Sequence, residues 1–226
     1  MKNKKQDFEK YAITHEMMLV PDFLKRLLNN SINFNKKIKI LDYGCGDGGL
    51  LEYFSKYTPK KNLYGVEVSR IRVNKVKKKG FNCEYIDKNY VRLRYPSDNF
   101  DVVTMIEVIE HIPKRNIGNI LKEINRVLKP GGKIICTTPN YSIKRVYDLF
   151  MIFKGKNIAK VIRDDPTHVS KYNFNKLYKL LRKYFKEVKL YPNYILMENK
   201  FKFIKKLREK RKIDYFSHKI VGLCKK

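Results

Sequence analysis

Apolar residues along the chain follow two spacings, one typical of buried strands and the other of helices. Short runs rich in Ile, Leu, Val, Phe and Tyr predict strands, and stretches with apolar residues three and four positions apart predict helices between them. The predicted strands cover residues 37–43, 63–68, 81–86, 100–106 and 133–138. Because strands and helices alternate with short connections, we predict an α/β fold built on a mostly parallel, doubly wound sheet.

The two ends of the chain are less regular than its middle. Residues 7–29 predict two short helices separated at Pro21, because proline interrupts a helical pattern. Toward the other end, residues 173–185 predict an amphipathic helix and residues 186–197 one or two strands. No run of about 18 uncharged apolar residues occurs, so the sequence predicts no membrane-spanning helix.

Basic residues outnumber acidic ones throughout the chain. The 226 residues include 51 Lys and Arg against 22 Asp and Glu, a formal net charge of +29. Such an excess suits an anionic partner such as a nucleic acid, a membrane surface or a phosphorylated substrate. Much of this charge is diffuse, but residues 200–226 hold 11 basic and 2 acidic side chains. We predict that this segment is an amphipathic tail that contacts an anionic membrane surface or RNA, or is a solvated end.

The four cysteines, at positions 45, 83, 136 and 224, are scattered without a CxxC pair. Thiols without a pairing pattern fit a reducing compartment. The N-terminus is basic and has no apolar run of the kind found in signal peptides. We therefore predict a cytoplasmic location, peripheral at a membrane if the basic tail binds one.

A glycine-rich loop joins the first predicted strand to the helix that follows. Its sequence, DYGCGDGG over residues 42–49, allows the backbone to turn sharply and to approach a ligand closely. The following helix offers free backbone N–H groups. Glu67 ends the second predicted strand, 21 residues after Gly46, where a carboxylate suits the hydroxyls of a ribose. The loop therefore predicts a nucleoside cofactor, and its glycines also match the GxGxxG pattern of dinucleotide sites.

Two acidic residues help to decide between these cofactor classes. Asp42 and Asp47 lie in the loop, where they would repel the pyrophosphate of a dinucleotide. Both suit a cationic ligand that carries an amino-acid group. The charge of the loop therefore disfavours a dinucleotide.

Four motifs in this part of the chain resemble those of class I S-adenosylmethionine-dependent methyltransferases. They are ILDYGCGDG at 40–48, LYGVEVS at 63–69, FDVV with EVIEHI within 100–112, and LKPGGKII at 128–135. The resemblance covers residues 38–140 and points to the small-molecule, quinone O-methyltransferase-like branch. It implies a Rossmann-like fold with a seven-stranded sheet, helices on both faces of that sheet, and S-adenosylmethionine as the cofactor.

The resemblance also implies which residues bind the cofactor. Asp42 and the glycines would border its methionine part, Glu67 would bind the ribose hydroxyls, and Asp87 would accept a hydrogen bond from the adenine amino group. Further residues would line the pocket at the end of the fourth strand. The implied cofactor-binding set is Asp42, Gly44, Cys45, Gly46, Gly48, Glu67, Val68, Asp87, Ile106 and Glu107.

A second group of reactive side chains follows the fourth predicted strand. Glu107, Glu110 and His111 are spaced i, i+3 and i+4, so on a helix they share one face. Such a group acts as a base or binds a divalent cation. A partial resemblance to small-RNA 3′-terminal 2′-O-methyltransferases, which bind a metal, adds His168 as the later histidine of this set. We predict His111 and His168 as catalytic residues without a permanent metal; the ligands of a metal would be Glu107, Glu110, His111 and His168.

Together these features predict an S-adenosylmethionine-dependent methyltransferase that methylates an oxygen of a small-molecule, lipid-like or quinone-like acceptor. Within one domain of residues 1–199, we assign 1–36 to N-terminal helices, 37–140 to the cofactor-binding core and 141–172 to a cover over the acceptor site. Two alternatives stay open, namely an RNA methyltransferase that acts on a 2′-oxygen with a metal and a non-catalytic binding module. The intact glycine loop argues against the module.

Overall fold

The computed structural model of the protein describes residues 8–14, 20–87, 92–144, 167–193 and 219–226. The helices include α1 (Phe8–Thr14), α2 (Asp22–Ser31), α3 (Gly49–Phe54), α4 (Arg70–Lys78), α5 (Lys114–Val127) and α6 (Phe174–Leu181). The strands are β1 (Ile40–Tyr43), β2 (Leu63–Glu67), β3 (Asn82–Tyr85), β4 (Phe100–Ile106), β5 (Leu128–Pro139), β6 (Glu187–Asn193) and β7 (Lys219–Lys225). Helices and strands alternate from β1 to β5, although no helix of the described residues separates β3 from β4.

The strands of the described residues form a seven-stranded sheet in the order β3-β2-β1-β4-β5-β7-β6. β1 pairs in parallel with both β2 and β4, and β2 pairs in parallel with β3. At the other end of this order, β6 and β7 are antiparallel. All four residues of β1 are buried, as expected of an inner strand of a parallel sheet that is covered on both faces. The predicted α/β fold with a doubly wound, mostly parallel seven-stranded sheet is confirmed.

By its internal contacts the chain divides into two compact units. The first comprises Met1–Met105, Gly118–Ile134 and Lys226, and the second comprises Ile106–Ile117 and Ile135–Lys225. Each unit has apolar side chains that are completely buried. In the first unit they include Leu28, Ile40, Phe54, Leu63 and Phe100, and in the second Ile109, Ile135, Leu177, Leu181 and Ile220.

The end of the segment predicted to be a basic tail is a strand. Lys219–Lys225 forms β7 and pairs with β6 along its whole length. Its Ile220 and Val221 are buried, so their apolar side chains outweigh the lysines at the two ends of the strand. The prediction of a tail is therefore wrong for these residues. It gave weight to the many basic residues of the segment and overlooked the short apolar run among them. The rest of the predicted tail, residues 200–218, lies outside the described residues.

The polar residues that follow β4 lie on a turn and not on an α-helix. Glu107 adopts a left-handed backbone conformation with φ of 55°. Ile109–His111 forms a single 3-10 turn, and α5 begins only after Pro113. Proline is tolerated at the start of a helix but not inside one, so the helix starts later than predicted. The prediction that the three polar residues share one helical face is therefore wrong.

The predicted N-terminal helices are present as α1 and α2, and α2 begins directly after Pro21. The predicted amphipathic helix near the other end is α6, and the strand that follows it is β6. Most of the predicted acceptor-site cover, residues 145–166, lies outside the described residues. Among the helices that the structure describes, none has the length and apolar character needed to cross a membrane.

Candidate functional site

The glycine loop between β1 and α3 is shaped by its own backbone. The N–H groups of Gly44 and Cys45 both donate to the carbonyl oxygen of Val66, at 2.8 and 3.1 Å. Gly44, Gly46 and Gly48 have φ values of 77°, 55° and 84°. A residue with a side chain adopts such a conformation only at a cost, so these positions favour glycine. The chain therefore turns sharply after β1, as the sequence predicts.

Glu67, at the end of β2, holds this loop from the neighbouring strand. Its buried carboxylate accepts hydrogen bonds from the backbone N–H groups of Gly46 at 2.9 Å, Val68 at 2.9 Å and Ser69 at 3.1 Å. Three N–H donors around one carboxylate compensate for its burial and fix its orientation. The structure thus brings together the loop and the acidic strand end that the sequence assigned to one nucleoside site.

Asp42 is buried in β1, close enough to Glu67 for the two carboxyl groups to interact electrostatically. Its Oδ1 atom accepts a hydrogen bond from Thr104 Oγ1 at 2.7 Å. Burial raises the pKa of Asp42 to about 7; the charge of Glu67 acts in the same direction, and the bond from Thr104 opposes both. Asp42 therefore exchanges a proton near neutral pH, and a cation beside it would favour its charged form.

Cys45 occupies a point of the loop where only a small side chain fits. Its Sγ atom lies 3.7 Å from Sγ of Cys83 on β3, and both side chains are buried. A Cβ atom at Gly65 on β2 would come within 2.6 Å of Cys45 Sγ, so the packing is tight. The contact with Cys83 and burial raise the pKa of the Cys45 thiol well above its ordinary value. Such a thiol is a packing group and a poor nucleophile.

Asp47 is directed toward α4. Its Oδ1 atom lies 3.4 Å from Lys75 Nζ and 3.8 Å from Arg72 Nε. These cations compensate for the charge of its carboxylate. The acidic character that the sequence suggested for a ligand at this loop therefore rests on Asp42 and Glu67, and not on Asp47.

The other residues predicted to bind the cofactor are divided between the two units. Val68 follows Glu67 directly, and Asp87 lies just after β3 with an exposed side chain. Ile106 and Glu107 belong to the second unit. In the first unit the structure groups Asp42, Gly44, Cys45, Gly46, Gly48, Glu67 and Val68 around the end of β1 and β2.

In the second unit, Glu107 is held by its neighbours on β5 and β7. Thr137 Oγ1 donates to its Oε1 atom at 2.7 Å, and Lys219 Nζ lies 2.8 Å from its Oε2 atom. The backbone N–H of Glu107 also donates to the carbonyl oxygen of Thr137, at 3.1 Å. Both carboxylate oxygens are thus engaged. A left-handed non-glycine residue persists where its surroundings enforce it, and such residues cluster at functional sites.

Glu110 is completely buried, and within the described residues neither of its carboxyl oxygens has a hydrogen-bond partner. Burial and the charge of Glu107 raise the pKa of Glu110 to about 8, while the Thr138 hydroxyl and Lys219 oppose this shift. A buried carboxyl group is costly unless a proton, a cation or a hydrogen bond compensates it. With its pKa raised to about 8, the Glu110 carboxyl carries a proton near neutral pH, and that proton compensates for its burial.

Two histidines stand beside Glu110. His111 Nδ1 lies 3.2 Å from the carbonyl oxygen of Thr167, and His168 Nδ1 lies 2.5 Å from the hydroxyl oxygen of Tyr141. The two rings meet edge to face with their centroids 4.7 Å apart. One ligand atom from each of Glu110, His111 and His168 lies within 4.8 Å of the others. Hydrogen bonds at Nδ1 orient both rings, as they do in histidines that bind metals.

Ser170 ties the segment of His168 to the turn that carries Glu110. Its N–H donates to the carbonyl oxygen of Glu110 at 2.9 Å, and its Oγ donates to that of Ile112 at 2.6 Å. No local sequence pattern marks such contacts, because each one joins segments that are far apart in the chain. Four residues that contact this site were therefore not predicted from the sequence, namely Thr137, Tyr141, Ser170 and Lys219.

A family model described as a methyltransferase domain matches residues 9–184 of the chain. Among curated proteins, the ubiquinone/menaquinone biosynthesis C-methyltransferase UbiE of Shewanella baltica (strain OS155) is 30% identical over 169 residues. The match covers 69% of this chain and 66% of that protein, slightly under two thirds of its length.

Two solved structures share the fold. A SAM-dependent methyltransferase from Archaeoglobus fulgidus has a TM-score of 0.64 and 21% identity, over 91% of this chain and 94% of that one. Phosphoethanolamine N-methyltransferase 2 of Haemonchus contortus, in complex with S-adenosyl-L-methionine, has a TM-score of 0.63 and 14% identity, over 96% of this chain and 56% of that one. At these identities the likeness is one of fold.

Proposed function

Because this chain belongs to the methyltransferase domain family, we propose that it transfers the methyl group of S-adenosylmethionine to an oxygen atom of a small-molecule acceptor. The predicted methyltransferase family is confirmed, and S-adenosylmethionine, which is bound to one protein of the same fold, is the cofactor that we propose for this chain. The acceptor that we propose is a hydroxylated, quinone-like or lipid-like molecule. The observation that carries this proposal is the grouping of Glu110, His111 and His168, because a hydroxyl nucleophile needs a proton acceptor beside it.

The first unit supplies the groups that we propose for the cofactor. The two oxygens of a carboxylate offer about four acceptor positions, and three N–H donors already occupy some of those on Glu67. The remaining capacity suits a ribose hydroxyl. Asp42, whose charged form a sulfonium would favour, is proposed for the methionine end of the cofactor. The proposed set keeps Gly44, Cys45, Gly46, Gly48, Val68 and Asp87 in the first unit, and Ile106 and Glu107 in the second.

The second unit supplies the groups that we propose for the acceptor. In the transfer, the acceptor oxygen attacks the methyl carbon, a C–O bond forms as the S–CH₃ bond breaks, and S-adenosylhomocysteine leaves. The hydroxyl proton passes to an imidazole, for which we propose His168, oriented by Tyr141 and with His111 beside it. Alignment of the two reactants contributes much of the acceleration, since displacement requires the oxygen and the methyl carbon in line.

Glu110, His111 and His168 also fit a divalent cation. Two imidazoles and one carboxylate form a ligand set known for Zn²⁺ and Fe²⁺, and the unsatisfied Glu110 carboxyl favours such a ligand here. Glu107, the fourth ligand predicted from the sequence, already has both oxygens engaged by neighbouring side chains. A cation at this position would lower the pKa of an acceptor hydroxyl. Because a cation and a proton would occupy the same ring nitrogen of His168, this metal site is an alternative to His168 as the base, and its ligands would be Glu110, His111 and His168.

A methyl-transfer assay with labelled S-adenosylmethionine tests the proposed function. Hydroxylated phenols, a total lipid extract and total RNA are offered separately, each with and without a chelator. We expect label in a small phenolic or lipid product, and a rate at least about 100-fold lower for His168→Ala, because a general base contributes this much. Lys77→Met, on the exposed side of α4, is the control and should keep the wild-type rate. No label in any of the three pools would contradict the proposal.

The atom that receives the methyl group can be read from the product. A phenolate carries negative charge on its ring as well as on oxygen, so the same base would also activate carbon. UbiE, to which the chain is similar, is named a C-methyltransferase. NMR of the labelled product separates a methyl ether from a ring methyl group. The ether supports the proposed O-methylation, and a ring methyl group contradicts it while leaving methyl transfer intact.

RNA is the second candidate acceptor. The grouping of Glu110, His111 and His168 favours it, because this is the set by which the sequence partly resembles small-RNA 2′-O-methyltransferases. This candidate predicts label in the RNA pool alone, with incorporation that falls steeply as salt increases. It also predicts that the methylated 3′ ends resist periodate, which cleaves only vicinal hydroxyls. Label confined to small molecules would exclude RNA as the acceptor.

A further inference from the structure

One side of α4 contacts the glycine loop. Arg72, Lys75 and Lys79, the last being the residue that caps the helix, are spaced i, i+3 and i+7 and therefore lie on the same side. Lys75 Nζ and Arg72 Nε lie 3.4 and 3.8 Å from Oδ1 of Asp47. Lys79 Nζ donates to the backbone carbonyl oxygen of Asp47 at 2.8 Å and lies 3.2 Å from Oε1 of Glu52. Both the side chain and the peptide group of Asp47 are thus held from this helix.

Val76, on the same side of α4, brings the helix close to the loop. A Cβ atom built at Gly48 would come within 3.1 Å of Val76 Cγ2, and Gly48 has φ of 84°. Both observations require a residue without a side chain at this position. The helix therefore fixes the loop sterically at Gly48 and electrostatically at Asp47, the residue before it.

Arg72 is the cation on this side that is buried. The residue is 6% exposed, and the side chain of Asp47 beside it is 17% exposed. Ion pairs on the surface contribute little, but a buried guanidinium is costly unless an anion lies near it. Arg72 and Asp47 therefore constrain each other more strongly than two exposed residues would. Lys77 and Lys78, by contrast, have exposed side chains on the same helix.

We infer that Arg72 and Lys79 are positioning residues for cofactor binding. The inference rests on the proposed function, because it concerns the loop that we propose to bind S-adenosylmethionine. Arg72 fixes the side chain of Asp47 and Lys79 fixes its carbonyl, while Glu67 fixes the N–H of Gly46 from β2. The loop is thus held before the cofactor arrives, so binding need not order it. A preordered site binds more tightly than one that must be ordered on binding.

The other use of this side of α4 is simple packing of the helix on the first unit. Packing alone predicts that the variants lose stability while the folded protein keeps its affinity for the cofactor. Positioning predicts a weaker cofactor affinity in protein that is still folded. Lys79 separates the two roles well, because its side chain is 37% exposed and its removal leaves no buried gap.

Calorimetric titration of the full chain with S-adenosylmethionine tests the inference. Arg72→Met should raise the Kd about 10-fold, as expected when a buried cation is removed from beside Asp47, and Lys79→Met about 3-fold, as expected for a partly exposed charge-assisted hydrogen bond. Arg72→Lys should restore part of the affinity, because it keeps the charge without the planar group. Lys77→Met, which removes an exposed cation from the same helix, should leave the Kd unchanged. In turnover, the KM for the cofactor should rise while kcat stays within about twofold of wild type.

A Kd within twofold of wild type for both Arg72→Met and Lys79→Met, in protein shown to be folded by its thermal transition, would overturn the inference. Should Arg72→Met fail to fold, Lys79→Met decides alone. Absence of binding in the wild type would instead contradict the proposed function. Normal binding in the wild type and in both variants would contradict the positioning role alone.

Discussion

The glycine loop of the first unit and the histidine cluster of the second are built in opposite ways. The loop is one contiguous segment that contacts Glu67 and α4, and many of its contacts are backbone N–H and carbonyl groups. The cluster of Glu110, His111 and His168 joins two segments that lie far apart in the chain. Its members are held by residues from other segments, including Tyr141, which contacts His168, and Ser170, which contacts the turn that carries Glu110.

The two regions also differ in how their charges are satisfied. In the loop, Glu67 has three N–H donors and Asp47 has two cations beside it. In the cluster, the buried carboxyl of Glu110 has no hydrogen-bond partner among the described residues. A satisfied site is stable before its ligand arrives, whereas an unsatisfied one gains stability from the ligand. The comparison therefore predicts a preformed loop and a cluster that a proton or a cation completes.

Asp42→Asn should have the largest effect, which is on how the free energy of unfolding depends on pH. Asp42 is the exception in the glycine-loop region, because burial raises its pKa instead of its charge being compensated. The folded protein holds the pKa of Asp42 at about 7, above its ordinary 3.8, so the unfolded chain releases this proton first as pH rises. Wild type therefore loses stability from about pH 4 to about pH 7, by up to about 4 kcal/mol, and no more above that range. The Asp42→Asn variant does not lose this stability, because asparagine has no proton to release. Urea unfolding across this range should show the difference between the two proteins growing and then levelling off.

The exposed Asp22, replaced by Asn, provides the control for this experiment, because its side chain is 84% exposed. Its unfolding free energies should follow those of wild type closely across the same pH range. Parallel profiles for wild type and Asp42→Asn would mean that Asp42 stays ionised when buried. In that case the loop would be fully satisfied and the contrast with Glu110 would become sharper.

Glu67→Ala should weaken S-adenosylmethionine binding on the order of 100-fold, because it removes an ordered acceptor and frees the N–H of Gly46. Hydrogen bonds to a charged group are worth about 1.5–3 kcal/mol each, and about 2.8 kcal/mol is a factor of 100. Calorimetry gives the affinity directly. The affinity of Glu67→Gln should lie between those of wild type and Glu67→Ala, since an amide accepts fewer N–H hydrogen bonds than a carboxylate. Equal affinity in all three proteins would remove Glu67 from the cofactor site.

The difference between the two regions also explains how far the sequence could predict them. The loop could be predicted from the sequence, because Gly44, Gly46 and Gly48 adopt positive φ values that favour glycine whatever surrounds them. Glu67 could be predicted too, because it lies at the end of the next strand. The sheet followed from apolar runs in the same way. All three members of the cluster could be named from the sequence, together with Glu107, but the contacts that hold them depend on tertiary packing, which no local spacing encodes. The strand at Lys219–Lys225 was missed because lysines surround its short apolar run.

A divalent cation should stabilise the cluster and leave the loop unaffected. With Zn²⁺ at about 100 times its Kd, the free energy of unfolding rises by about 2.7 kcal/mol, which moves the Tm of a chain of this size by roughly 5–10 °C. Glu110→Gln should abolish this shift, because the amide is a poor ligand. The exposed Glu187→Gln is the matched control and should keep it. A shift that persists in Glu110→Gln would place the cation elsewhere.

Tyr141→Phe should give the smallest effect, a loss of about 3- to 10-fold in the rate of methyl transfer. The variant removes only the hydroxyl that contacts His168 Nδ1, and one hydrogen bond of this kind contributes about 1 kcal/mol. Tyr178→Phe, at a tyrosine that is 45% exposed on α6, should keep the wild-type rate. Measured under single turnover, an unchanged rate in Tyr141→Phe would show that other contacts orient the His168 ring. The histidines of the cluster would then be as preordered as the glycine loop. The difference between the two regions would in that case lie only in the unsatisfied carboxyl group of Glu110.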